Sequence, residues 1–289
     1  MPPSGADPPV SIPLVRCDVT SPPDVAAVIG EVSPEAIVLL AGLASPPAAH
    51  ADPVGAYRVH ALGSVALLTE VSRLRPGARV LVVTSSEVYG VVDAGALPLT
   101  ETSVLRPASI YAASKAAADL AAGAFFASRG LDVVRVRPFN HTGPGQRRGF
   151  VCPDFALQVA AIHLGQQPPV IEVGNLEARR DFSDVRDIAR GYRLALTEGR
   201  AGEVYNLCSG RAIAIRDVLD ALCDLGGVRP EIRTDPGRRR PVDVPAYWGS
   251  AEKAARELGW QPEIPWRRTL GDLLSAAVAD EARAPRGVE

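Results

Sequence analysis

The sequence predicts an α/β fold in which a doubly wound parallel sheet carries helices on both faces, joined to a smaller, interleaved α/β lobe. Short β-branched runs alternate with longer amphipathic stretches, the pattern expected where each parallel strand needs a helical crossover. After Asn140 the texture changes, with turn-rich stretches at Gly143–Gly149 and Pro236–Pro245, which predicts the second lobe. The 289 residues suffice for one large domain or two small ones.

In chain order, Met1–Pro13 holds five prolines and no apolar run behind a basic start, so it reads as a loose lead-in and not as a secretory leader. The strand candidates are Ala36–Ala41, Arg79–Ser85, Leu131–Arg137, Pro169–Val173 and Glu203–Leu207. Between them lie helical patterns at Pro22–Val32, Pro53–Leu74, Ser109–Arg129, Pro153–Gly165 and Val185–Glu198, several opening on a proline at a first-turn position. Gly259, ahead of Trp260, reads as a C-cap glycine. Packing is the ordinary explanation for Trp248, Trp260 and Trp266. These elements assign 14–148 and 169–207 to the sheet domain, 149–168 and 208–280 to the second lobe, and 1–13 and 281–289 to flexible ends.

Composition narrows the function. No stretch approaches the ~18 apolar residues of a membrane span. Lys+Arg 31 against Asp+Glu 33 gives a net charge of −2, so no global basic field points to nucleic acid or an anionic membrane. Cys17, Cys152, Cys208 and Cys223 share no CxxC or Cys/His spacing, which argues against a zinc site or a disulfide framework and fits a reducing cytoplasm. His50, His60, His141 and His163 show no ligand spacing either, so no metal is expected.

Ligands of open α/β sheets sit outside the carboxyl ends of the strands, which is where chemistry is sought. Tyr111-Ala-Ala-Ser-Lys115 lies in a helical pattern, where a spacing of four puts phenol and ammonium on one face. A fixed positive charge favours the phenolate, which predicts a lowered tyrosine pKa and a usable acid/base. With six tyrosines and two lysines in the chain, chance would produce about 0.04 such pairs. In Val82-Val83-Thr84-Ser85-Ser86-Glu87-Val88-Tyr89-Gly90 an apolar strand runs into hydroxyls and a carboxylate. A hydroxyl there can hydrogen-bond a carbonyl or alcohol oxygen, and Glu87 can take a carbon-bound proton; the plainer alternative is turn capping.

Ser85 or Ser86, Tyr111 and Lys115, in that order, resemble the catalytic triad of the short-chain dehydrogenase/reductase superfamily. The longer pieces Thr84–Gly90, Arg106–Lys115, Arg137-Pro-Phe-Asn-His-Thr-Gly-Pro-Gly-Gln146 and Arg180-Asp-Phe-Ser-Asp-Val-Arg-Asp187 resemble its extended branch, the nucleotide-sugar epimerases, dehydratases and reductases. Within it, Arg137–Gln146 and Val173–Phe182 are most similar to the GDP-4-keto-6-deoxy-mannose reductases, with the GDP-mannose 4,6-dehydratases as close relatives. The resemblance implies a Rossmann-like sheet, NAD or NADP as cofactor, and a nucleotide-diphosphate sugar, by preference a GDP-sugar, as partner. It implies Tyr111 as general acid/base, Lys115 as the group that lowers its pKa and holds the nicotinamide ribose, and Ser85 on the oxygen at the sugar C4. It implies Asp18 and Val19 at the adenine, Leu40, Ala41 and Gly42 along the cofactor, and Pro138 near the carboxamide. Ser86, Asn140, Arg180 and Arg240 match substrate positions; guanidinium suits a diphosphate because it pairs bidentately with phosphate oxygens, although by composition Arg180 and Arg238–Arg240 also read as a solvated basic loop. A homodimer through the helix bearing Tyr111 and the preceding helix is implied as well.

The chain also departs from the family pattern. A dinucleotide fold should open with a strand, a glycine-rich turn and a helix that receives the pyrophosphate, and no such unit precedes Asp18. By the resemblance the chain begins near the third strand of the usual sheet, an N-terminally truncated arrangement that leaves NAD against NADP undecided. His60 stands where the family commonly has Asn, and Leu39 where His is frequent. Three readings follow: a reductase of a 4-keto nucleotide sugar; a 4,6-dehydratase in which Glu87 takes the C5 proton (or a sugar-nucleotide epimerase); and a catalytically silent sugar-nucleotide-binding relative without cofactor.

Overall fold

The computed structural model describes residues 12–235, 237 and 244–283. Ser21 and two prolines start α1 (Pro22–Val32), with the Ser21 hydroxyl accepting from the Asp24 amide at 3.4 Å. Strand β1 (Ala36–Leu39) follows, then α2 (Pro46–Ala51) and α3 (Pro53–Tyr57), which runs through a π turn at Arg58–Leu62 into α4 (Gly63–Leu74). After β2 (Arg79–Val83) come α5 (Ile110–Arg129), β3 (Val133–Pro138), β4 (Asn140–Thr142), α6 (Val151–His163), β5 (Val170–Val173), β6 (Arg179–Arg180) and β7 (Phe182–Asp184). The remainder is α7 (Val185–Glu198), β8 (Val204–Leu207), β9 (Ile213–Ala214), α8 (Ile215–Gly226), β10 (Glu231–Thr234), β11 (Ala246–Tyr247), α9 (Glu252–Leu258) and α10 (Trp266–Arg283).

The central sheet has the order β1-β2-β3-β8, every pair parallel. The central strand β2 is apolar on both faces because both are covered, whereas the edge strand β1 leaves Ala36 and Val38 exposed. Val80 and Val82 of β2 pack with Val25 and Ile29 of α1 and Leu67, Leu68 and Val71 of α4, while Leu81 faces Val134, Val136 and Ile188 on the other side. The second lobe has its own core, in which α6, α8 and α10 enclose Ile171 and Val173 of β5. Its strands form small separate sheets, β10-β5, β11-β6-β9 and β4-β7.

Three expectations need correction. Strand β5, assigned by sequence to the sheet domain, pairs with β10, because the place beside β3 is taken by β8 and Ile171 and Val173 bury their side chains among the second lobe's helices. Conversely α9 and Trp260, assigned to the second lobe, pack into the sheet's core, where the Trp260 indole donates to the Asp187 carbonyl at 2.8 Å. Residues 281–283 continue α10 and are not a loose end. The Gly259 reading holds, with φ +65° at the end of α9.

Candidate active site

β2 delivers Val83 to the carboxyl edge of the sheet, and the chain then turns sharply through Ser86–Tyr89. Ser85 caps that turn, its hydroxyl accepting from the Glu87 amide at 3.2 Å, which is the plainer of the two roles expected for it. Across from it α5 starts at Ser109, whose hydroxyl accepts from the Ala112 amide at 3.0 Å, and this start brings Tyr111 to the sheet edge. The Ser85 hydroxyl and the Glu87 carboxylate both lie close enough to act on the Tyr111 phenol. One turn further, the buried Lys115 Nζ donates to the Val83 carbonyl at 3.2 Å. Gly42 borders the same spot: a Cβ built there would lie 3.5 Å from Lys115 Nζ. Ser85, Glu87, Tyr111, Lys115 and Gly42 therefore meet around one strand end.

The electrostatics differ from the spacing argument. Burial, reinforced by Glu87, pushes Tyr111 up to about 12, with only Ser85 pulling down. Burial likewise lowers Lys115 to about 8. The direction is thus opposite to the lowering expected from the ammonium: Lys115 is not among the influences on the phenol, and burial together with Glu87 sets the shift. At neutral pH Tyr111 is a proton-bearing phenol.

The helix that carries Tyr111 and Lys115 is tied to the sheet by a buried ion pair. Asp119 receives Arg137 bidentately, Nη2 to Oδ1 and Nε to Oδ2, both at 2.8 Å, with Arg135 at 3.1 Å and the Thr84 hydroxyl at 3.1 Å. Arg137 also donates to the Tyr89 hydroxyl at 3.0 Å, and that hydroxyl donates to Asn206 at 2.7 Å.

The second lobe reaches the same edge through Tyr247, a residue the sequence reading passed over. Its hydroxyl donates to the carbonyl of the buried Ser86, and its phenol is subject to both Glu87 and Arg180. Arg180 is itself anchored to the Val244 carbonyl at 2.6 Å. The expected diphosphate arginine and the strand-end carboxylate therefore both act on one phenol. Asn140 donates to the Asp181 carbonyl at 3.2 Å, and Pro138 is buried in register with Leu207. Asp18 accepts from the Thr20 amide at 2.9 Å at the entrance to α1, and a Cβ on Gly63 would lie 3.0 Å from Val19. Leu40 and Ala41 are exposed beyond β1. Arg240 lies outside the described residues. Among the described residues no group of three or more His, Cys, Asp or Glu is placed to hold a metal.

Asp181 is a second residue that motif reading left without a role of its own. Fully buried, it accepts from the Ser209 amide at 2.7 Å, the Ser209 hydroxyl at 2.6 Å, the Gly210 amide at 3.0 Å and the Gly249 amide at 3.3 Å. The signal was available in the Arg180-Asp-Phe sequence, where an acidic residue stands between an arginine and a buried aromatic.

Known proteins resemble this chain in sequence and fold. The family profile described as GDP-mannose 4,6 dehydratase matches residues 5–272. GDP-6-deoxy-D-mannose reductase of Pseudomonas aeruginosa is 37% identical over 242 residues, covering 84% of this chain and 80% of that protein. The structure of RMD from Pseudomonas aeruginosa, complexed with NADPH, superposes with a TM-score of 0.88 at 34% identity, covering 93% of this chain and 90% of that one. DesIV, a dTDP-glucose 4,6-dehydratase from Streptomyces venezuelae solved with NAD bound, superposes with a TM-score of 0.82 at 29% identity, over 93% of this chain and 80% of that one. A profile match over most of the sequence, together with a relative of this identity sharing four fifths of its length, makes the chain a member of the GDP-mannose 4,6-dehydratase family of extended short-chain dehydrogenases/reductases.

Proposed function

We propose that the chain reduces the C4 ketone of a GDP-4-keto-6-deoxy-hexose, with Tyr111 as proton donor. The observation that carries this reading is the Tyr111 phenol, set beside Ser85 at the end of β2 and holding its proton at neutral pH. Reduction of a ketone needs a proton delivered to oxygen as hydride reaches carbon, and a phenol raised to about 12 is in the donor state throughout the physiological range. NAD or NADP in its reduced form, when bound, supplies the hydride.

The residues present fit the nicotinamide end of such a cofactor. Among the described residues Lys115 Nζ has one acceptor, the Val83 carbonyl, leaving N–H groups for ribose hydroxyls. Ser85 would orient the ketone oxygen, and Tyr111 would give it a proton. Arg180 and Arg240 would take the diphosphate, with Ser86 and Asn140 along the sugar. Asp18 and Val19 would flank the adenine, with Leu40, Ala41 and Pro138 along the cofactor. The test is consumption of NADPH or NADH by the full chain in the presence of GDP-4-keto-6-deoxy-mannose, and its loss in Tyr111→Phe. Absence of turnover with a folded protein that binds both ligands would refute the reading. Binding of GDP without binding of NADPH would favour the silent relative.

The proximity of Glu87 to both Tyr111 and Tyr247 favours a second reading, a GDP-mannose 4,6-dehydratase in which Glu87 takes the C5 proton. Conversion of GDP-mannose to its 4-keto-6-deoxy product without net cofactor consumption distinguishes it. We further propose a homodimer through α5 and the preceding helix, supported by the exposure of Leu120 and Phe126 on α5 and Val65 on α4; a strict monomer in sedimentation would contradict it. A cytoplasmic location is supported by four unpaired cysteines. Among the described residues no helix is long and apolar enough to cross a membrane.

A further inference from the structure

His60 touches the proposed proton donor yet has no part in the chemistry above. It sits in the π turn Arg58–Leu62, a one-residue insertion of a kind that clusters at functional sites. The Ser64 hydroxyl donates to the His60 carbonyl, so the displaced backbone acceptor is satisfied. The His60 ring is 2% exposed and stands edge-on to the Tyr111 ring, with centroids 5.6 Å apart at 89°. Its Nδ1 lies 2.8 Å from the Ser114 Oγ and its Nε2 lies 3.2 Å from the Leu43 carbonyl. One imidazole therefore joins the loop after β1 to the stretch of α5 between Tyr111 and Lys115.

The hydrogen-bond inventory selects one tautomer. The Leu43 carbonyl can only accept, which puts the proton on Nε2; in a neutral ring Nδ1 then accepts from the Ser114 hydroxyl, whose one proton is shared with the Tyr111 carbonyl 2.9 Å away. Burial, reinforced by Lys115, lowers His60 to about 4, which keeps the ring neutral. Lys115 and Tyr111 are the titratable groups that face it.

Gly42 completes the fit. A Cβ there would lie 2.7 Å from His60 Nε2 and 2.8 Å from its Cδ2, and the Gly42 backbone does not adopt a positive φ. Glycine at this position is a matter of room for the imidazole, not of backbone conformation.

We infer that His60 is a positioning residue, wedged between the bare Cα of Gly42 and the hydroxyl of Ser114, that fixes the turn of α5 carrying Tyr111 and Lys115. The inference rests on Tyr111 and Lys115 acting as proposed above. Its test is a double-mutant cycle on the full chain with Gly42→Ala, His60→Asn and the pair together, reading kcat and KM for reduction of the keto sugar. Asparagine still offers an acceptor to Ser114 but is too short to meet a Cβ at position 42. Gly42→Ala should lower kcat by about 10²-fold, the scale of a small misplacement of reacting groups, with KM much less affected. His60→Asn should lower kcat by less, and in its background Gly42→Ala should have little further effect. Losses that multiply independently would overturn the inference.

A second measurement needs no turnover. Imidazole nitrogen NMR should find His60 neutral and protonated at Nε2 at neutral pH, and Lys115→Met should raise its titration. A ring protonated at Nδ1, or one titrating at the ordinary value of 6.5, would overturn the inference. An inactive wild type with the expected resonances would count against the reductase reading and still support this geometry.

Discussion

Replacing Asp119 by alanine tests how α5 is held against the sheet. Asp119 is 0% exposed and Arg137 5%, and the carboxylate takes four donors at 2.8 to 3.1 Å. Without it Arg137 keeps only the Tyr89 hydroxyl at 3.0 Å and the Glu101 carbonyl at 3.2 Å, neither of them charged. Breaking a buried pair from one side leaves an uncompensated charge and costs about 3 to 5 kcal/mol. At about 2 °C per kcal/mol for a chain of this size, Tm should fall by roughly 6 to 10 °C in a calorimetric scan. The pair Asp119→Leu with Arg137→Met, which removes both charges, should recover most of that loss. Burial alone would raise the Asp119 pKa, but the Arg137 bonds and charge, with Arg135 and Thr84, outweigh it and hold the value down. The associated stability is therefore fully present above the ordinary carboxylate range and is lost as pH falls through the depressed folded value. A fall in Tm below about 2 °C for Asp119→Ala would refute the reasoning.

Tyr111→Phe should lower kcat by about 10² to 10⁴-fold while leaving the far-ultraviolet circular dichroism unchanged; an active Phe variant would remove the phenol from the chemistry. Folded Lys115 binds fewer protons than unfolded Lys115 between pH 8 and 10.5, so its own contribution to stability should rise with pH across that window. Buried cysteines and tyrosines with raised values slope the other way, so the readout is the difference: urea unfolding at both ends of the window should show the stability of wild type falling less, or rising more, than that of Lys115→Met. Arg180→Ala should raise the KM for the nucleotide sugar about 10-fold or more, the scale of a lost charge-assisted hydrogen bond, with kcat less affected; an unchanged KM would free Arg180 from the diphosphate.

Much of this fold was legible because its signals are local. Ser21, Ser109 and their following turns start helices where the pattern expects them, and Arg79–Val83 could only be a strand covered on both faces. Sheet membership is not local: the Val170–Val173 run looks like a central strand, and only the packing of Ile171 and Val173 on α6, α8 and α10 sends it elsewhere. The continuous helical pattern of Pro53–Leu74 hid the π turn, since one inserted residue barely alters an apolar period. At the site, Ser85, Glu87, Tyr111 and Lys115 were readable from spacing and motif. The sign of the Tyr111 shift was not, because spacing reveals a neighbouring cation but not how much water the fold removes. Tyr247 gave no signal, as it is brought to Ser86 from 161 positions away.

The four-donor acceptor at Asp181 bears on engineering. Its donors come from the loop after β8 and from Gly249, which packs on Phe139 at the end of β3, whereas Asp181 itself stands between the small strands β6 and β7. One buried carboxylate thus ties the two halves of the molecule together, alongside the Tyr247 hydroxyl on the Ser86 carbonyl. A chimera that grafts another specificity onto the catalytic half would need to transplant Asp181, Ser209 and Gly249 as one inseparable block.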